Sequence, residues 1–253
     1  SAIGWSESRP INVGMSNASP GAVRLYPSMG TVELLPVASA GSYTITIAAS
    51  NICGSASGSF VADVDRAANV VATATSPTSV DITWDSQFDE QYTVVRVSAG
   101  AVQTILGQVV SAGGTAGLTD NGVAPNTAYL YEVLMTRGGV YSDPDLATTV
   151  IFTDPTLVAQ TTAVRAAHLT ELRTAVNAVR QLAGLVPPGY TDATITTGVT
   201  IVKAAHVTEL RTALDAARSL LSLPALSYSH AILTTGVTAI FAADISELRN
   251  GTR

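Results

Sequence analysis

Three histidines, three Glu-Leu-Arg triplets and one cysteine are the residues of this 253-residue chain whose types invite chemistry. His168 and His206 occupy equivalent points of two near-identical decapeptides, VRAAHLTELR (164–173) and VKAAHVTELR (202–211). A third, IFAADISELR (240–249), carries Asp244 at that point. Imidazole and carboxylate both bind zinc at ~2 Å, so these positions read first as a candidate metal site. A shared ion would need all three to converge, whereas equivalent positions on stacked helices lie ~8–10 Å apart, too far unless the copies close into a ring. The competing reading makes each a first-turn helix residue that accepts a hydrogen bond from an unpaired backbone amide. Asp suits that place because its charge complements the helix N-terminus. We adopt the capping reading and assign no metal and no cofactor.

The triplets pair Glu171 with Arg173, Glu209 with Arg211 and Glu247 with Arg249. Residues two apart on a helix do not face each other, so these charges are expected to pair between helices and set the register of the copies. No catalytic set assembles from the rest. The histidines are far in sequence from Cys53, and neither a Gly-x-Ser-x-Gly elbow nor a phosphate-cradling glycine loop occurs. The acidic groups Asp85, Asp89 and Glu90, Asp143 and Asp145, and Asp63 and Asp65 read as solvated loops rather than a calcium site. The expectation is that the protein is not an enzyme.

Composition narrows the partners. Acidic residues outnumber basic ones 12 to 5 up to position 150 and stand 7 to 8 after it, so no basic footprint for nucleic acid exists. Only 13% of residues are charged against 47% hydrophobic, which implies folded modules with an uncharged surface suited to meeting other protein. No apolar run reaches the ~18 residues that span a bilayer. A single cysteine rules out an intrachain disulfide.

The elements that position these groups change type along the chain. Tyr43, Ile45 and Ile47 alternate with polar or small neighbours, as do Val80, Ile82 and Trp84, and Tyr129, Tyr131 and Val133, which is the period of half-buried strands. From 153 the apolar spacing becomes helical: Leu169, Leu172, Val176 and Val179, then Val207, Leu210, Leu214 and Ala217. The decapeptides recur every 38 residues, and Phe152, Tyr190 and Tyr228 keep the same register, as do Asp154, Asp192 and His230. That is a repeat of helices, expected at 18–20 residues each, packed as an array whose truncated third copy acts as a terminal cap.

Segments of the chain resemble known families. SPTSVDITW (76–84), YTVVRV (92–97) and LTDNGVAPNTAYLYEV (118–133) look like a fibronectin type III domain. That likeness implies a core role for Trp84 and makes Tyr129 the corner tyrosine whose hydroxyl ties a loop to the sandwich. GSYTITIAASNICGSASGSF (41–60) resembles the last hairpin of bacterial immunoglobulin-like surface domains, with Trp5 matching their early tryptophan. The likeness implies an absent first strand and a Cys53 that lacks the upstream partner such domains often have. The 38-residue repeat is similar to a C-terminal module of secreted bacterial proteins, and faintly to dockerin repeats, without their calcium ligands.

The expected organisation is therefore multidomain, β then α: two Ig-like/fibronectin type III β-sandwiches followed by a small all-α repeat domain. Residues 1–64 form the first sandwich, 67–152 the second and 153–253 the three-copy repeat. The expected function is that of a non-catalytic, extracellular, secreted or cell-surface structural protein. It would self-associate head to tail into a homopolymer, by strand complementation of the N-terminal sandwich. The alternative is a set of accessory C-terminal modules of a larger secreted hydrolase or adhesin.

Overall fold

A computed structural model describes the backbone of residues 12–16, 23–26, 31–34, 41–51 and 54–64, and residues 66–253 apart from 138, 159–160, 235–237 and the side chain of 88. Trp5, Cys53 and the expected absence of a first strand lie outside the described residues. In the N-terminal part, β1 (Asn12–Ser16) pairs antiparallel with β4 (Gly41–Asn51), which forms a hairpin with β5 (Gly54–Val64). Asn51 opposes Gly54, so the connection is two residues long. A second hairpin joins β2 (Val23–Tyr26) and β3 (Thr31–Leu34).

The next six strands are β6 (Ala68–Ser76), β7 (Ser79–Ser98), β8 (Val102–Asp120), β9 (Ala128–Met135), β10 (Val140–Tyr141) and β11 (Asp145–Thr148). At 20 and 19 residues, β7 and β8 are each long enough to serve both layers of a sandwich. The first half of β7 pairs with β6 and its second half with β9, while β8 follows β7 along its whole length. A register shift between Phe88 and Glu90, with Asp89 at φ 57°, marks where the pair passes from one layer to the other. Alternating residues from both layers meet inside: Val80, Ile82 and Trp84 against Tyr92, Val94, Tyr131 and Val133, all essentially inaccessible. Trp84 and Tyr92 pack with ring centroids 5.7 Å apart. Each such side chain contributes about 1.5–3 kcal/mol by leaving water.

Three helices follow, α1 (Ala166–Leu182), α2 (Ala204–Leu220) and α3 (Ala242–Gly251); the first two, at 17 residues each, are slightly shorter than expected, and the truncated third has 10. α1 ends where Gly184 adopts φ 74° and the Leu185 amide returns to the Arg180 carbonyl at 2.8 Å. The helical stripes read from the sequence point inward: Leu169, Leu172, Val176, Val179, Val207, Leu210, Leu214 and Ala217 are 0% exposed, as are Ile245 and Leu248 of α3. Ala128, Leu130 and Leu146 of the sandwich belong to the same cluster, because α1 lies across β9 and β11. Helices and sandwich thus share a core.

One expectation is corrected here. An open array would leave α3 against α2 alone, but α3 packs on both α2 and α1. The third copy closes the set instead of capping it.

Candidate functional site

The repeated polar residues lie where each helix receives the loop that leads into the next. In the first copy, Glu171 reaches back 18 residues to accept hydrogen bonds from the Thr153 amide (3.0 Å) and hydroxyl (2.5 Å). Glu209 does the same for Thr191 (amide at 2.9 Å), and Glu247 for Ser229 (amide at 2.9 Å). Each glutamate therefore fastens the entry loop of its own copy.

The arginines reach forward. Arg173 donates to the carbonyls of Thr191 (2.5 Å) and Asp192 (2.8 Å), and Arg211 donates to that of His230 (2.6 Å). Arg249 has no fourth copy ahead, and it donates instead to Thr153 (2.8 Å) and Asp154 (2.7 Å), the entry loop of the first. Each guanidinium also lies over the aromatic ring of the copy it reaches: Arg173 over Tyr190 at 4.6 Å, Arg211 over Tyr228 at 4.2 Å and Arg249 over Phe152 at 4.7 Å. The Nε of all three is buried without a hydrogen-bond acceptor, so the ring is the neighbour that compensates the desolvated cation on that side. Inter-copy ion pairs join Arg211 to Asp244 (2.8 Å) and Glu247 (3.3 Å), and Arg249 to Glu171 (3.6 Å). The contact from third copy to first repeats the contacts from first to second and second to third, which makes the arrangement cyclic. Burial pulls the Arg249 guanidinium below its ordinary value, and Glu171 opposes that.

The histidines have a separate duty. His168 Nδ1 accepts from the Arg165 amide at 3.2 Å, and His206 Nδ1 accepts from the Lys203 amide at 3.2 Å. In the third copy Asp244 Oδ2 accepts from the Phe241 amide at 2.8 Å. With Nδ1 engaged as an acceptor, the ring proton sits on Nε2, which faces Asp154 in one copy and Asp192 in the other, both at 3.1 Å. The third copy exchanges the partners, since His230 of the loop meets Asp244 of the helix at 3.1 Å. Both ring nitrogens of His168 and His206 are thereby occupied, and among the described residues no three His, Cys, Asp or Glu side chains gather around a space for a metal ion. Lys203 holds the Asp192 carboxyl below the usual carboxylate range, with His206 adding to the effect.

In the sandwich, the Tyr129 hydroxyl accepts from the Ala124 amide at 2.9 Å and so ties the loop before β9. Trp84 is 1% exposed and leaves its indole Nε1 without a partner. Among the described residues the acidic groups do not converge; the side chains of Asp63 and Asp65 lie outside them. Asp85 meets Asn69, Asp143 meets Arg66, and Asp145 accepts from the Ala72 amide. Glu90, expected on a solvated loop, is 6% exposed and accepts from the Arg137 amide. Buried polar groups that sequence reasoning passed over include Arg96, Asp120 and Tyr131, joined at 2.8 and 3.1 Å. Arg180 and Arg218 are also new: each clamps the loop after its own helix and donates to a carbonyl of the next, Ala213 or Gly251. Their 38-residue separation was the available signal.

Neither protein-family models nor curated proteins yield a match to the chain. Among solved structures, the FN5 domain of Drosophila Lar overlaps 33% of this chain and 94% of its own at 22% identity and a TM-score of 0.28. A two-domain fibronectin type III segment of chicken tenascin overlaps 46% of this chain and 68% of its own, at 15% identity and a TM-score of 0.28. The FN1–FN3 domains of chicken CNTN1 overlap 43% and 40%, at 18% identity and a TM-score of 0.29. These overlaps carry no argument; strand pairing alone makes residues 68–148 an antiparallel β-sandwich-like fold, followed by three helices. No helix among the described residues is long and apolar enough to cross a membrane.

Proposed function

We propose that the chain is a non-catalytic structural part of an extracellular, secreted or surface protein of bacterial type. Its organisation would be an Ig-like sandwich over 1–64, a fibronectin type III domain over 67–152 and a three-copy helical repeat domain over 153–253. The observation that carries the reading is where the repeated charges go. Glu171, Arg173, Glu209, Arg211, Glu247 and Arg249 contact the chain's own loops, and His168, His206 and Asp244 serve helix entrances. Catalysis needs a nucleophile, base or oxyanion donor aimed at a space a substrate can enter, and these groups are engaged by the chain's own backbone and side chains.

A unit that spends its polar signature on closure, and packs against its neighbouring sandwich through apolar residues, transmits position and load. We infer that it does so as the subunit of a filament or appendage, joined head to tail through strand complementation of the N-terminal sandwich. The acidic first part and slightly basic second part favour that polarity of contact, which propagates when the rotation does not close. Electron microscopy of the full chain tests this. Regular fibres whose map shows a strand from a neighbouring copy added to the sheet of β1, β4 and β5 are the expected result. A dispersed chain under every condition would overturn assembly and leave the accessory-module reading in its place.

A further inference from the structure

Residues 149–154 carry the chain from the sandwich into the repeat, and they are gripped at both ends. On the sandwich side, the Thr149 amide donates to the Thr127 carbonyl at 2.9 Å, and the Thr149 hydroxyl donates to the Ala124 carbonyl at 2.6 Å. On the helical side, Glu171 holds the Thr153 amide and His168 faces the Asp154 carboxylate. The carbonyls of Thr153 and Asp154 both accept from Arg249 of α3, at 2.8 and 2.7 Å. Only Val150, Ile151 and Phe152 lie between the two grips, a span of at most ~14 Å, so a movement at one end reaches the other.

The sandwich also has a seat that the first copy alone provides. Ala178 and Leu182 of α1, each 6% exposed, share an apolar cluster with Ala128, Leu130 and Leu146 of the sandwich. Their repeat equivalents on α2, Ala216 and Leu220, are exposed, the leucine to 62%. The sandwich therefore covers on α1 a face that is bare on α2. The third helix packs on α1 and α2, and through Arg249 it grips the segment that leaves the sandwich.

We propose that residues 149–154 are a strap that couples two events, the seating of the sandwich on α1 and the closure of α3 on the first copy. Lifting Leu130 and Leu146 off α1 carries Thr153 and Asp154 along with the sandwich. A displacement of about 1 Å takes both carbonyls out of hydrogen-bonding range of Arg249. Phe152, which lies under the same guanidinium, leaves in the same movement, so a buried cation loses two acceptors and its ring together. In the other direction, releasing Arg249 frees the strap and loosens the end of β11, which Thr149 directly follows. The last helix thereby responds to the orientation of the sandwich, although the two are joined only through α1 and the strap. The coupling belongs to the single chain and holds whether or not copies assemble.

Native-state hydrogen exchange of the full chain tests the coupling in both directions. Leu146→Ala weakens the seat without touching α3; the α3 amides should exchange about tenfold faster or more, while β6 keeps its protection and shows the sandwich still folded. Leu146→Val is read in the same way where the alanine variant does not fold. Arg249→Ala removes the far grip, and the Thr149 amide should then exchange faster by a similar factor, because coupling between two sites is reciprocal. Inserting two glycines between Val150 and Ile151 slackens the strap and leaves both grips intact, so in that background the two effects should vanish. Unchanged α3 exchange in Leu146→Ala, an effect in one direction only, or coupling that survives the insertion and so runs through α1 alone, each overturns the strap.

Discussion

Replacing Arg249 by alanine separates a closed set of three copies from an open array. The side chain is 2% exposed and donates to two carbonyls, lies over Phe152 at 4.7 Å and stands 3.6 Å from Glu171. Hydrogen bonds from a charged donor contribute about 1.5–3 kcal/mol each, and the stacked ring adds about 0.5–2 kcal/mol. These terms overlap, and removing one member of a buried charged pair costs about 3–5 kcal/mol, which is the loss we expect. Arg249→Lys keeps the charge but not the planar fork that spans both carbonyls, so it should recover only part of that loss. The assay is denaturant unfolding followed at 222 nm, where the helices dominate, because a chain of several folding units does not unfold in one step. Arg211→Ala should cost at least as much, since Arg211 stacks on Tyr228, donates to the His230 carbonyl and pairs with the buried Asp244 at 2.8 Å. Arg137→Ala, whose side chain is 83% exposed and lies 3.7 Å from Glu90, should cost less than about 1 kcal/mol, because Glu90 keeps its bond to the Arg137 amide. If Arg249→Ala behaves like Arg137→Ala while Arg211→Ala is costly, α3 is a loose terminal helix and the closure argument is wrong.

Three further outcomes follow from the same contacts. Exchanging partners in Asp192→His/His206→Asp recreates the arrangement of the third copy, so the double variant should be more stable than either single one by more than about 1 kcal/mol of coupling in a mutant cycle; additive losses would mean the pair does not interact. Asp192 is held ionised by Lys203 and His206, so its stabilisation is present above pH ~4 and fades as pH falls through the lowered folded value; Asp192→Asn should flatten that acid limb of the 222 nm stability profile. Burial pushes the Tyr190 hydroxyl up to about 12, against the opposing Arg173 and Arg180, and burial also raises Tyr131 and Tyr228. Raised folded values keep full stability below pH ~10 and lose it above, so ultraviolet titration should show a late tyrosinate step coincident with unfolding; complete ionisation of all eight tyrosines near pH 10 would contradict it.

Much of this architecture is legible in residue spacing, and the limits of that legibility are physical. Leu169, Leu172, Val176 and Val179 give the helix and its buried face, because burial on one side forces the 3.6-residue period. The 38-residue recurrence gives the copies. It does not give their curvature, since identical neighbour contacts suit a line or a ring, and only the placement of Arg249 against Thr153 and Asp154 decides. The pairing of His168 with Asp154 could have been found: loop and helix positions 14 apart hold Asp and His twice, then His and Asp. In the sandwich, alternation marks the strands around Trp84 and Tyr92. It misses that they belong to the continuous β7, because Asp89 at positive φ bends the chain without ending the ladder. The burial of Glu90 was hidden for the same reason, as its partner Arg137 is distant in sequence.

The most direct test of the structural reading is the mass of the full chain in solution, measured by sedimentation velocity from dilute to concentrated. A structural subunit should show discrete multiples of the chain growing with concentration, leading to fibres. A single species with the mass of one chain at every concentration would contradict it.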